Sequence, residues 1–95
     1  MGQEHAFSEG TNGSVTVGAT STLVLAPKSG RLYALLINDS DETIYLGMGT
    51  DAVMNKGIRL SPYGGAIELD GDQPFKGAVR AICASGSKNL TYFEA

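Results

Sequence analysis

A chain of 95 residues has room for one hydrophobic core, since independent domains usually need roughly 50 residues or more each. Ten Asp and Glu against seven Lys and Arg give a net charge of −3 with no basic stripe, which argues against nucleic-acid binding because phosphate backbones would be repelled. Hydrophobic residues reach 42%, charged residues only 18%, and there are 13 glycines, a balance that suits a compact β protein with tight turns and excludes disorder. A domain this small buries only about 60 to 65% of the surface its unfolded chain exposes, so association is its expected source of extra stability.

Residues 1–13, MGQEHAFSEGTNG, carry one large apolar side chain, Phe7, and no strand or helix period. They are read as a flexible arm that orders on a partner, with Phe7 as anchor and Glu4 and Glu9 available to basic groups. The folded domain is expected over residues 14–95. Neither a basic segment followed by an apolar stretch nor a run approaching the ~18 apolar residues of a membrane span occurs, so a soluble protein made without a signal is expected.

From Ser14 onward, short alternating runs are separated by turn residues. Val15 and Val17 alternate with Thr16 and Gly18, and Leu23 and Leu25 alternate with Thr22, Val24 and Ala26 until Pro27 stops the run. After Lys28-Ser29-Gly30 comes Arg31-Leu32-Tyr33-Ala34-Leu35-Leu36-Ile37, apolar on both faces, which marks a central strand or one covered by another subunit. Tyr33, Leu35 and Ile37 are therefore the expected oligomer interface. Asn38 to Glu42 reads as a hairpin loop, because Asn, Asp and Ser bond their own backbone. Ile44, Leu46 and Met48 then share a face, and Ile58 with Leu60, Ile67 with Leu69, Gly77 to Ala84, and Leu90 to Phe93 complete the strands. Seven or eight short antiparallel strands with turns between them make an all-β protein, a small β-sandwich with jelly-roll-like or Ig-like connections.

Catalytic and cofactor motifs are weak. Gly47-Met48-Gly49-Thr50-Asp51-Ala52 spells a variant of the dinucleotide fingerprint, but Gly57 leaves room for barely one helical turn where the pyrophosphate needs a helix N-terminus. His5, the only histidine, lies in the arm with no nucleophile placed for it. Glu68, Asp70 and Asp72, and likewise Asp39 and Asp41, alternate as calcium ligands do, yet neither stretch fits the calcium-loop frame. Cys83, the only cysteine, reads as a small buried hydrophobe. The expectation is no enzyme, no cofactor and no metal. Tyr33, Tyr45, Tyr63, Tyr92, Phe75 and Phe93 offer rings for stacking on a sugar, which keeps a glycan-binding module as the alternative.

Ile37-Asn38-Asp39-Ser40 followed by Ile44-Tyr45-Leu46-Gly47, then Gly57-Ile58-Arg59-Leu60-Ser61-Pro62 with Gly64-Gly65, then Gly77-Ala78-Val79-Arg80-Ala81-Ile82 and Asn89-Leu90-Thr91, form a recognisable succession. Over residues 14–95 it resembles small β-rich structural proteins of tailed bacteriophages that decorate, cement or form fibres on the capsid. The resemblance implies a non-enzymatic virion component, commonly a homotrimer. Such a protein is made in the host cytoplasm and sits on the outer capsid surface, bound to the major capsid protein. A phage tail or fibre module that binds a host surface glycan is the alternative within the same setting.

Overall fold

The computed structural model describes residues 9–71 and 74–95. Eight strands follow in chain order: β1 Thr11–Val17, β2 Thr22–Leu25, β3 Ala34–Asn38, β4 Ile44–Met48, β5 Ile58–Leu60, β6 Ala66–Leu69, β7 Val79–Cys83 and β8 Lys88–Glu94. They form two antiparallel four-stranded sheets, β1-β8-β3-β6 (sheet A) and β2-β7-β4-β5 (sheet B). Pairing first with last, second with seventh, third with sixth and fourth with fifth is the winding of a jelly roll, which decides between the two connectivities the sequence leaves open.

Each strand turns one face inward, so the core is the sum of alternate residues. Leu36, Ile44, Leu46, Leu60, Val79 and Leu90 fill the space between the sheets. Cys83 is buried among them, and its thiol donates to the Val17 carbonyl oxygen at 3.4 Å. Burial pushes that thiol above its ordinary pKa, as expected of an inert core cysteine.

Four details of the sequence reading are corrected. β1 begins at Thr11, so Thr11, Asn12 and Gly13 belong to a strand paired with Glu94, Phe93 and Tyr92 and not to the arm. In β2 a register shift between Leu23 and Leu25 breaks the alternation: Val24 and Leu25 both point inward while Leu23 is exposed. The run ending at Ile37 becomes strand only at Ala34, because Arg31 turns its side chain into the interior.

The fourth concerns Asn38 to Glu42, which is a crossover and not a hairpin loop, since β3 lies in sheet A and β4 in sheet B. Its self-bonding residues behave as their chemistry dictates, with Ser40 Oγ donating to Asn38 Oδ1 at 2.6 Å and accepting from the Glu42 N–H at 3.3 Å. The Asn38 amide sends the chain across by donating to the carbonyl oxygens of Glu42 at 2.8 Å and Leu60 at 3.0 Å, the latter on a strand of the opposite sheet. Of the seven connections, only β4 to β5 stays within one sheet.

Arg31 and Asn38 are the buried polar residues of the described structure. Arg31 donates through Nε to Glu94 Oε2 at 2.8 Å and through Nη2 to the Ala26 carbonyl at 2.8 Å. Its Nη1 donates to the carbonyls of Phe75 at 2.9 Å and Gly77 at 3.0 Å. One guanidinium thus ties the far end of β8, the exit of β2 and the approach to β7. Truncating one member of a buried charge pair typically costs about 3 to 5 kcal/mol. Arg31→Ala is therefore expected to lower the unfolding free energy by roughly that amount, and Arg31→Lys by most of it, because one ammonium cannot reproduce the planar fork. Urea denaturation checks this, with Arg80→Ala on the wet face of sheet B expected to change stability by no more than about 0.5 kcal/mol.

Candidate interaction surface

The register of sheet A places two rows of side chains on its outer face. One row runs Asn12, Phe93, Leu35, Glu68 and the other Ser14, Thr91, Ile37, Ala66. Leu35 and Ile37 are half-buried at the centre, although β3 already gives Ala34 and Leu36 to the core. Tyr33 precedes β3 in phase with them; its ring lies 6.0 Å from that of Phe93, tilted by 52°. The three residues expected at an oligomer interface are thus brought together on one face. Phe93 and Thr91 join them, which the sequence reading did not draw out, although Leu90 and Tyr92 facing inward require Thr91 and Phe93 to face outward. The surface dips into a shallow groove of about 400 Å³ lined by Leu35, Ile37, Thr91 and Phe93 together with Asn12 and Gly13 of β1.

Chemically this face is quiet. Its carboxylate, Glu68, accepts a 2.6 Å hydrogen bond from the Tyr33 hydroxyl. That bond, with lesser desolvation and the charges of Glu68 and Asp70, raises the phenol above its usual pKa, so Tyr33 stays neutral. The outer face of sheet B has a different character, since Tyr45 and Ile82 alternate there with Arg59 and Arg80, and Arg80 lies 4.0 Å from Asp51.

The remaining candidates are dispersed. At the end of β4, a Cβ on Gly47 would meet the carbonyl oxygens of Thr50 at 2.7 Å and Asp51 at 2.6 Å, so the glycine exists to let the next segment fold back over it. Residues 50–57 make no helix, and Gly57 turns the chain at φ 80°. Asp39 and Asp41 are drawn to side chains of β8, Asp39 by Asn89 Nδ2 at 3.2 Å and Asp41 by Lys88 Nζ at 2.8 Å. Among the described residues no group of three or more His, Cys, Asp or Glu is placed to hold a metal. The six aromatic residues do not form one platform: Phe75 and Tyr92 pack on the core, Tyr45 lies on sheet B, and Tyr63 stands alone at the β5–β6 crossover. Phe7, Glu4, His5 and Asp72 lie outside the described residues, and Glu9 is exposed just ahead of β1.

Comparison with family models, curated proteins and solved structures gives no match.

The end of the sandwich opposite Arg31 is held by exposed charges. Glu42 accepts from the Ser85 N–H at 2.9 Å and from its hydroxyl at 2.6 Å, which, with Lys88 nearby, lowers the Glu42 carboxyl below its ordinary value. The Lys88 hydrogen bond lowers Asp41 in the same way, and Asp41 raises Lys88. Groups with depressed folded pKa values stabilise above their unfolded values and lose that contribution as pH falls through the folded ones. Lys88, with a raised value, contributes fully below its unfolded value and loses this as pH rises through the folded one. The thermal midpoint should therefore hold a plateau through neutral pH, fall below the ordinary carboxylate range and fall again above the ordinary lysine range. Glu42→Gln is expected to shrink the acid limb by no more than about 3 °C, since the pairs are exposed, while leaving the alkaline limb in place.

Proposed function

We propose that the chain is a non-enzymatic structural component of a tailed-bacteriophage virion, a decoration protein that binds the major capsid protein on the outside of the shell. The observation that carries this reading is the outer face of sheet A, where a central strand already satisfied on its core side presents Leu35 and Ile37, with Phe93 beside them, to whatever lies above. A strand with apolar side chains on both faces needs a second cover, and a small domain gains most from one. Self-association through this face, three-fold as the resemblance implies, supplies that cover and repeats the attachment surface around an axis.

The arm fits the same arrangement. Gly10, at the entry to β1, lies so close to the Phe93 ring that a Cβ there would collide with it, which sets the start of β1 against the rim of this face. An anchor such as Phe7, which lies outside the described residues, would contribute little in one copy and more when many copies bind one shell.

Co-sedimentation of the purified chain with shells assembled from the major capsid protein of the same genome tests the proposal. Saturable binding at a fixed ratio per capsomer is expected, weakened at least about tenfold by removing residues 1–8. Absence of binding to both expanded and unexpanded shells would overturn it.

A further inference from the structure

Two four-stranded sheets leave four edge strands, and three of them are blunted. β2 has four residues, carries the register shift and runs toward Pro27; β5 has three and centres on Arg59; β6 has four, includes Glu68 and is followed by Asp70. Shortness, charge, irregularity and proline are the devices that keep sheet edges from pairing with other chains. β1 has none of them. It runs seven residues, TNGSVTV, without charge, proline or register shift, and among the described residues it is paired along one side only, by β8.

We infer that β1 pairs antiparallel with β1 of a second copy across a two-fold axis at Ser14, joining two four-stranded sheets into one of eight strands. Only the register that sets Ser14 against Ser14 keeps all seven residues paired, with Thr11 against Val17, Asn12 against Thr16 and Gly13 against Val15. The seven residues carry no charge, so no like charges face one another in that register, although the chain as a whole carries −3. Glycine lies opposite valine in both halves, so bulk and space alternate across the axis. Asn12, Ser14 and Thr16 share the outer side, where Ser14 meets its own copy and Asn12 meets Thr16 in hydroxyl and amide pairs. A foreign strand would need pockets matched to its alternate side chains, whereas self-pairing obtains its specificity from the symmetry of the register. This contact runs along the edge of sheet A, where the outer-face rows end in Asn12 and Ser14, and does not depend on the capsid reading.

Opposed residues of an antiparallel pair have Cα atoms about 4.5 to 5.5 Å apart, within the span of a disulfide, whereas Thr16 and its own symmetry mate are offset by about 13 Å along the strands. In a Cys83→Ala background, mild oxidation should convert Ser14→Cys to a covalent pair of twice 9.9 kDa. That reaction should run at least about tenfold faster than for Thr16→Cys alone, while an equimolar mixture of Thr16→Cys and Asn12→Cys also cross-links. A second measurement uses charge: Ser14→Lys and Ser14→Glu each abolish the pair in native mass spectrometry, and mixing them restores it as a one-to-one heterodimer. The inference is overturned if Ser14→Cys stays uncross-linked and the charge variants show no mutual preference, or if all three cysteine positions react alike. Loss of shell binding without loss of the Ser14 cross-link would count against the decoration role alone.

Discussion

The Arg31 guanidinium is the one charged group taken wholly into the interior of the described structure, and its four hydrogen bonds decide how the strand ends meet. Ala26 belongs to the exit of β2 in sheet B, Glu94 to β8 in sheet A, and Phe75 and Gly77 to the connection that carries the chain from sheet A back to sheet B. A planar fork with fixed donor directions suits this work, because it satisfies several carbonyls of loops that leave their ladders and so have no strand partners. The connection is tightened further by Lys76, whose ammonium donates to the carbonyls of Ser29 at 3.0 Å and Arg31 at 3.1 Å.

Asn38 is the neutral counterpart at the other end of β3. Its amide reaches the carbonyl of Leu60 in the opposite sheet, and its own N–H and carbonyl bond the backbone of Gly65 and Gly64, each at 2.8 Å. Polar groups at both ends of one strand fix where the crossovers begin, and this leaves the middle of β3 free to be apolar on both sides. The outer surface of Leu35 and Ile37 is in that sense a product of the anchoring.

Much of this was legible in the sequence, and the exceptions have physical causes. Alternation placed Ile44, Leu46, Leu60 and Leu69 correctly, and the doubly apolar run placed Tyr33, Leu35 and Ile37 on one face. Periodicity cannot reveal a side chain that leaves its phase, so Arg31 reads as part of the apolar run that ends at Ile37, whereas it is the one charged group buried in the described structure. Leu23 and Val24 lie on the faces opposite to those that alternation predicts, because the irregularity between Leu23 and Leu25 lets two successive residues, Val24 and Leu25, face the core. The loop at Asn38 to Glu42 has the chemistry of a hairpin turn, and only the pairing of β3 with β6 and β8 rather than with β4 shows that it bridges two sheets. Strand order rests on contacts between residues distant in the chain, which local pattern does not carry.

In the proposed function the outer face of sheet A is the surface through which the protein works. Hydroxyl-radical footprinting read by mass spectrometry, on the chain in its dilute and assembled states, reports that surface side chain by side chain. Leu35, Ile37 and Phe93 are expected to lose reactivity on assembly while Leu23 on sheet B and the isolated Tyr63 stay reactive. Unchanged reactivity of Leu35, Ile37 and Phe93, with protection appearing at Leu23 or Tyr63 instead, would contradict it.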